Sequence, residues 1–134
     1  MARARRAAKA LGGAMRQAGL IAAPAIVALS DPYPVHRRDH RLAQMLASRL
    51  SAIDASLVDA TRVQTNIVNC FVDRFADDAV GINRALKERG VLANSRRGKI
   101  RFVTHYHIDE ASVEAAAGAL ADVLRSFPPK GGNR

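Results

Sequence analysis

The chain has 134 residues, 49% of them hydrophobic and only 4% aromatic, so its length fits one domain whose core is built mainly from Ala, Leu, Val and Ile. Twenty-one basic residues against twelve acidic ones give a net charge of +9, an excess that suits a polyanionic partner. The single cysteine, Cys70, excludes an intrachain disulfide and a Cys-rich zinc site, and fits a reducing, cytoplasmic compartment.

The distribution of the charge weighs against nucleic acid. Basic residues are scattered, with short clusters only at Arg3, Arg5 and Arg6, at His36 to Arg38, and at Arg96 and Arg97. No aromatic-interleaved ribonucleoprotein motif, zinc-finger spacing or helix-turn-helix pattern accompanies them. A small basic nucleic-acid-binding or interaction module without enzymatic activity is therefore kept as the alternative function.

The first thirty residues hold five basic groups and no acid, followed by the apolar run from Leu20 to Leu29 and a small Ser30. This is the outline of a targeting segment. The basic region is too long for one, however, and the apolar run carries Pro24 and is too short to span a bilayer, so no membrane contact is expected. The segment reads instead as a helix-loop-helix broken at Gly12 and Gly13, with Met1 partway into the first helix and the apolar side packed inside the protein. Residues 1–34 thus form an N-terminal helical segment and a Pro-containing linker, because Pro32 and Pro34 break the helical pattern.

A small α/β domain is predicted over residues 35–127. A helix restarts near Val35 and runs to Ala52, with Leu42, Met45, Leu46, Arg49 and Leu50 marking its face. His36 and His40 lie four apart on it without a third ligand nearby, and read as solvated. Residues 56–59 read as a short edge strand and residues 65–72 as a longer one, in which Asn69 faces solvent or bonds a neighbouring backbone and Cys70 is an inert buried thiol. Asp77 and Asp78 open a helix that runs to Arg89 and is capped by Gly90. Residues 91–93 and 99–104 then form a hairpin around a loop at 94–98. Asp109 caps the last helix, whose Val113, Ala116, Leu120, Val123, Leu124 and Phe127 make one apolar stripe, and Pro128 stops it. The tail, residues 128–134, is expected to be disordered.

Within the second hairpin strand, period two puts Ile100, Phe102 and Thr104 on one face and Arg101, Val103 and His105 on the other. Arg101 therefore sits mid-strand beside apolar neighbours. A guanidinium buried there needs a planar anion such as a carboxylate or phosphate. The competing reading is an ion pair with a nearby Asp or Glu, or a side chain directed to solvent. His105 and His107 would share a face if the strand continued, which is half a metal site; with no further ligand at suitable spacing, no metal is assigned.

Gly90-Val-Leu-Ala93, Ile100-Arg-Phe-Val-Thr-His105 and Ile108-Asp-Glu110, in that order, resemble the end of the small domain of the threonine aldolases, β-eliminating-lyase-type pyridoxal-phosphate enzymes of the aspartate-aminotransferase fold type. Lys9-Ala-Leu-Gly-Gly-Ala-Met-Arg-Gln-Ala-Gly19 and Thr65-Asn-Ile-Val68 support the likeness. It runs from about residue 4 to 126 and corresponds to the last third of such an enzyme. Ala14 departs from the family's third glycine, and residues 31–35 depart from its helical pattern.

The resemblance implies an α/β (α+β) fold, with a three- to four-stranded, mostly antiparallel sheet covered by helices on one face and preceded by an N-terminal helical arm. It implies retro-aldol cleavage of threonine or allo-threonine to glycine and acetaldehyde, with pyridoxal phosphate as cofactor. On this likeness Arg101 binds the substrate α-carboxylate, and Lys9 and Arg16 lie near the cofactor phosphate. The family's Schiff-base lysine and the groups that hold the cofactor ring fall upstream of the matched part. None of Lys9, Lys87, Lys99 and Lys130 stands in that lysine's motif, so no catalytic residue is assigned here. The implied partners are an amino-acid substrate, a lysine-bearing large domain or subunit, and further copies in a homo-oligomer.

Overall fold

The computed structural model describes residues 1–77 and 79–130. Contacts divide the chain into two units, residues 1–34 and 35–134.

The first unit holds α1 (Ala2–Ala10) and α2 (Gly19–Ser30). Gly12, at φ +84°, turns the chain after α1, a backbone shape that a side chain resists. Neither helix has a buried residue. The expectation that the apolar side packs inside the protein is thus corrected: Leu20, Ile21, Ile26, Val27 and Leu29 are all exposed. The reason lies in the pattern of α2, which is apolar on every side and so has no single face that one neighbour could cover. Among the described residues no helix is long and apolar enough to cross a membrane.

The second unit is a three-stranded antiparallel sheet with helices on one face. Its elements in order are α3 (Tyr33–Ile53), which begins at the division, β1 (Ile67–Phe71), α4 (Ala79–Glu88), β2 (Asn94–Arg96), β3 (Lys99–Val103) and α5 (Glu110–Arg125). The strand order is β1-β3-β2, so β3 is central. Leu42, Leu46 and Leu50 from α3, Ile82 and Leu86 from α4, and Val113, Leu120 and Val123 from α5 share one core with Val68, Cys70, Ile100 and Phe102 of the sheet. Each fully buried Leu or Ile stabilises the fold by about 1.5–3 kcal/mol relative to exposure.

Arginines cross-link α3 to the start of α5. Arg41 pairs with Glu110, Arg49 Nε donates to Glu114 Oε1 at 2.8 Å, and Arg38 Nη1 donates to the Tyr106 carbonyl at 3.0 Å. Asp109 caps α5 by accepting from the Ser112 backbone N–H at 2.8 Å and from its hydroxyl. Those two bonds, the hydroxyl's first, hold the Asp109 carboxyl below the usual range. Gly90, at φ +79°, ends α4, with the Val91 N–H reaching back to the Leu86 carbonyl at 3.0 Å.

Three sequence expectations shift. Residues 56–59 form no edge strand: a turn covers 55–57 and irregular chain follows, Leu57 and Val58 are buried, and the Leu57 carbonyl accepts from the Phe71 N–H at 2.7 Å. The hairpin is three residues later on its first arm, because Arg97 (φ 44°) and Gly98 (φ 72°) make a two-residue turn and Asn94–Arg96 pairs with β3. The tail is tied down as far as it is described: the Lys130 N–H donates to the Arg74 carbonyl at 2.8 Å, and its ammonium pairs with Asp77. Asp78, placed by the sequence at the opening of α4, and residues 131–134 lie outside the described residues.

Gly98 carries a second constraint besides its φ. A Cβ there would fall on the Asp73 carboxylate, within 2.7 Å of its Cγ, whereas a Cβ at Gly90 meets nothing within 4 Å. Gly90→Ala should therefore cost about 1 kcal/mol for the positive φ alone, and Gly98→Ala should cost clearly more. Urea unfolding of the two variants checks the order, and equal losses would contradict the steric account.

Candidate functional site

β3 places its side chains by alternation. Ile100, Phe102 and Thr104 point into the core, and the Thr104 hydroxyl is satisfied by donating to the Asp39 carbonyl at 2.6 Å. Lys99, Arg101 and Val103 consequently face away from the helices. The register sets Asn69 of β1 and Asn94 of β2 on either side of Arg101, and sets Phe71 and Arg96 on either side of Lys99. Paired residues share a face. Asn69, Asn94, Arg96, Lys99 and Arg101, with Ile67 and Ser95, border a groove of about 500 Å³ on the open side of the sheet.

Arg101 is exposed in this groove and has no ion-pair or hydrogen-bond partner among the described residues. Of the readings open in the sequence, the described residues show neither an ion pair with a nearby acid nor a buried guanidinium, and the exposed side chain matches the reading in which it is directed to solvent, though from the central strand. The side chain is exposed and makes no ion pair among the described residues, which leaves its planar guanidinium able to take a carboxylate through two parallel hydrogen bonds.

Thr65-Asn66 has a visible structural task. Asn66 Nδ2 donates to the Thr104 carbonyl at 2.7 Å, and the Asn66 carbonyl accepts from the Thr104 N–H at 2.9 Å. This pair continues the β1–β3 ladder one step past Val103 and holds the strand that carries Arg101.

Lys9 and Arg16 belong to the first unit. Lys9 lies in the last turn of α1, where a cation suits the carbonyl end of the helix. Arg16 lies in the turn between α1 and α2, and both side chains are exposed. Their chemistry, two cations around a glycine turn, suits a phosphate.

The histidines form no ligand set. His105 and His107 lie beyond β3, with ring centroids 5.8 Å apart edge to face, and His105 Nδ1 accepts from the His107 N–H at 3.3 Å. His36 and His40 are exposed on α3. Among the described residues no group of three His, Cys, Asp or Glu is placed to hold a metal ion. Cys70 is buried, and burial pushes its thiol from 9.0 up to about 12.

Asn69 is expected from the sequence to face solvent or bond a neighbouring backbone, whereas Asn94, Arg96 and Lys99 are groove residues that reading the sequence does not place beside Arg101. A two-residue turn at Arg97-Gly98 would have aligned Arg96 with Lys99 beside Arg101; a five-residue loop left Arg96 off the sheet.

A family model described as beta-eliminating lyase matches residues 1–73 of the chain. The low specificity L-threonine aldolase of Escherichia coli (strain K12) is 35% identical over 118 residues, covering 87% of this chain and 34% of that protein. The low-specificity L-threonine aldolase 1 of Arabidopsis thaliana is 34% identical over 109 residues, covering 78% and 30%. Alanine racemase TOXG of Cochliobolus carbonum is 30% identical over 142 residues, covering 96% and 34%. The chain thus spans about a third of the length of the curated relatives it matches.

Two outcomes follow from these environments. Arg101→Gln should leave the unfolding free energy from urea titration within about 0.5 kcal/mol of the parent, since no ion pair is lost; a larger loss would reveal a structural role. Cys70 should resist a thiol reagent until the protein unfolds. Because its folded pKa is raised, the folded form keeps a proton that the unfolded form gives up above 9.0, so stability should fall as pH rises from there toward about 12. Cys70→Ala should blunt that alkaline fall, as unfolding followed against pH would show.

Proposed function

We propose, because the chain belongs to the beta-eliminating lyase family, that it is the C-terminal portion of a pyridoxal-phosphate-dependent threonine aldolase, as a fragment or a separate subunit, and is inactive alone. Pyridoxal phosphate dependence is general among members of this family. The observation that carries the reading is the unengaged guanidinium of Arg101, set in a groove on the open face of the sheet. The threonine aldolase names of the relatives agree with it.

In this reading the substrate is a β-hydroxy-α-amino acid, threonine or allo-threonine. Arg101 takes its α-carboxylate, and the two-point grip restricts rotation at Cα, so the direction of the Cα–Cβ bond is set before it breaks. Cleavage takes the proton from the β-hydroxyl, releases Cβ as the aldehyde and leaves the bonding pair at Cα, which is later protonated to give glycine. Lys9 and Arg16 would hold the cofactor phosphate, for which their charge suits them. Pyridoxal phosphate, when bound, supplies the electron sink for the pair left at Cα.

The lysine that bonds the cofactor would come from a large domain or subunit, and the complete enzyme would be a cytoplasmic homo-oligomer. Support for a covering partner comes from α2, which is exposed although apolar on every side.

Mixed with pyridoxal phosphate, the chain alone should show no internal-aldimine absorption band and no threonine cleavage. A stoichiometric, borohydride-reducible lysine adduct with turnover would overturn the assignment of the lysine to another part. In a complete enzyme made by joining or co-expressing a compatible lysine-bearing domain, Arg101→Lys should lower kcat/KM by roughly ten- to a hundredfold although the charge is kept. One charge-assisted bond is worth about 1.5–3 kcal/mol, and an ammonium cannot supply the second. Arg101→Ala should cost more, with cofactor binding retained in both. Unchanged kcat/KM in Arg101→Ala would remove the carboxylate role.

A further inference from the structure

On the open face of the sheet Arg96 lies directly across from Lys99, and Arg101 follows on the same side of β3. Like charges paired across strands repel. The residues that share this face, Ile67, Asn69, Phe71, Asn94 and Val103, include no acid to offset them. The Asp73 carboxylate rests against Gly98 at the turn and does not border the groove. Arg96 and Lys99, like Arg101, make no ion pair among the described residues.

The groove thus gathers three unengaged cations along one wall, with the amides of Asn69 and Asn94 as further donors. One carboxylate occupies only Arg101. Lys99 is two residues away on the strand, about 6.7 Å, and faces a second guanidinium, so a second anionic group is needed to engage that pair.

We propose that the groove binds two carboxylates of one molecule, and that, besides threonine, the site takes a β-hydroxy amino acid whose side chain ends in a carboxylate. Arg101 holds the α-carboxylate, and Lys99 with Arg96 holds the distal one. This rests on the carboxylate role given to Arg101 above and adds the nature of the side chain. A distal carboxylate matches both the charge and the groove: two long, flexible cations close on it from adjacent strands, while Asn69 and Asn94 donate from either side of Arg101.

Calorimetric titration of the chain at low ionic strength tests this with succinate and butyrate, which have the same number of carbons and differ by one carboxylate. Succinate should bind about tenfold or more tightly than butyrate. Lys99→Gln and Arg96→Gln should each erode that preference and leave butyrate binding unchanged, whereas Arg101→Gln should weaken both ligands. Circular dichroism of these surface variants should match the parent.

Equal affinities for succinate and butyrate, or a preference untouched by Lys99→Gln and Arg96→Gln, would overturn the second subsite and leave the Arg101 role standing. Butyrate binding unmoved by Arg101→Gln would overturn that role, and this proposal with it. A short DNA duplex that binds more tightly than succinate, through Arg96 and Lys99, would show a polyanion surface and overturn the proposal as well.

Discussion

Strand β3 has both of its edges occupied, by β1 on one side and β2 on the other, and one of its faces pressed against three helices. With its backbone groups paired in two antiparallel ladders, the strand can neither rotate nor slide without losing both. Burial of Ile100, Phe102 and Thr104 then dictates the opposite face. A slip of one residue would drive Lys99, Arg101 and Val103 into the core, where unpaired charge costs far more than a strand's pairing returns. The outward direction of Arg101 is thus a consequence of packing on the other side of the sheet.

Two sets of arginines contrast. Arg38, Arg41 and Arg49 on α3 are engaged by the Tyr106 carbonyl, Glu110 and Glu114, and Arg74 pairs with Asp54 at 2.8 Å. These contacts lie toward the surface, where each pair contributes little, but those of Arg38, Arg41 and Arg49 together hold α3 beside the start of α5. Arg96 and Arg101 on the sheet have no such work. A basic chain can leave cations hydrated at little cost, so the distinction lies in arrangement: Arg41, Arg49 and Arg74 meet acids, whereas Arg96 and Lys99 meet each other across paired strands.

The first unit poses a different balance. Residues 20–29 expose apolar side chains on every side of α2, with Pro24 inside the helix removing one backbone donor. Such a helix gains stability by being surrounded, and the chain spans about a third of the length of its relatives. The second unit, by contrast, closes a core of its own from α3, α4, α5 and one face of the sheet.

Local patterns in the sequence determined much of the second unit. The helical spacing of Leu42, Leu46 and Leu50, the Gly90 end of α4, the Asp109 cap and the alternation in β3 each act within a few residues, and the short range of those forces makes them legible in the sequence. The motifs around Arg101 likewise resembled the family that the comparisons show. Tertiary structure alone decided the rest. Residues 56–59 have strand-like composition, but Leu57 and Val58 are buried without forming a strand: the segment meets the edge of β1 that β3 leaves open, through the bond from the Phe71 N–H to the Leu57 carbonyl. The apolar run of α2 could not reveal whether anything covers it, since burial depends on what surrounds a helix as well as on its own residues. The meeting of Arg96, Lys99 and Arg101 depended on a two-residue turn at Arg97, a residue type that rarely takes φ 44°. Cross-strand register is a property of paired backbones, and only the pairing put those three charges on one wall.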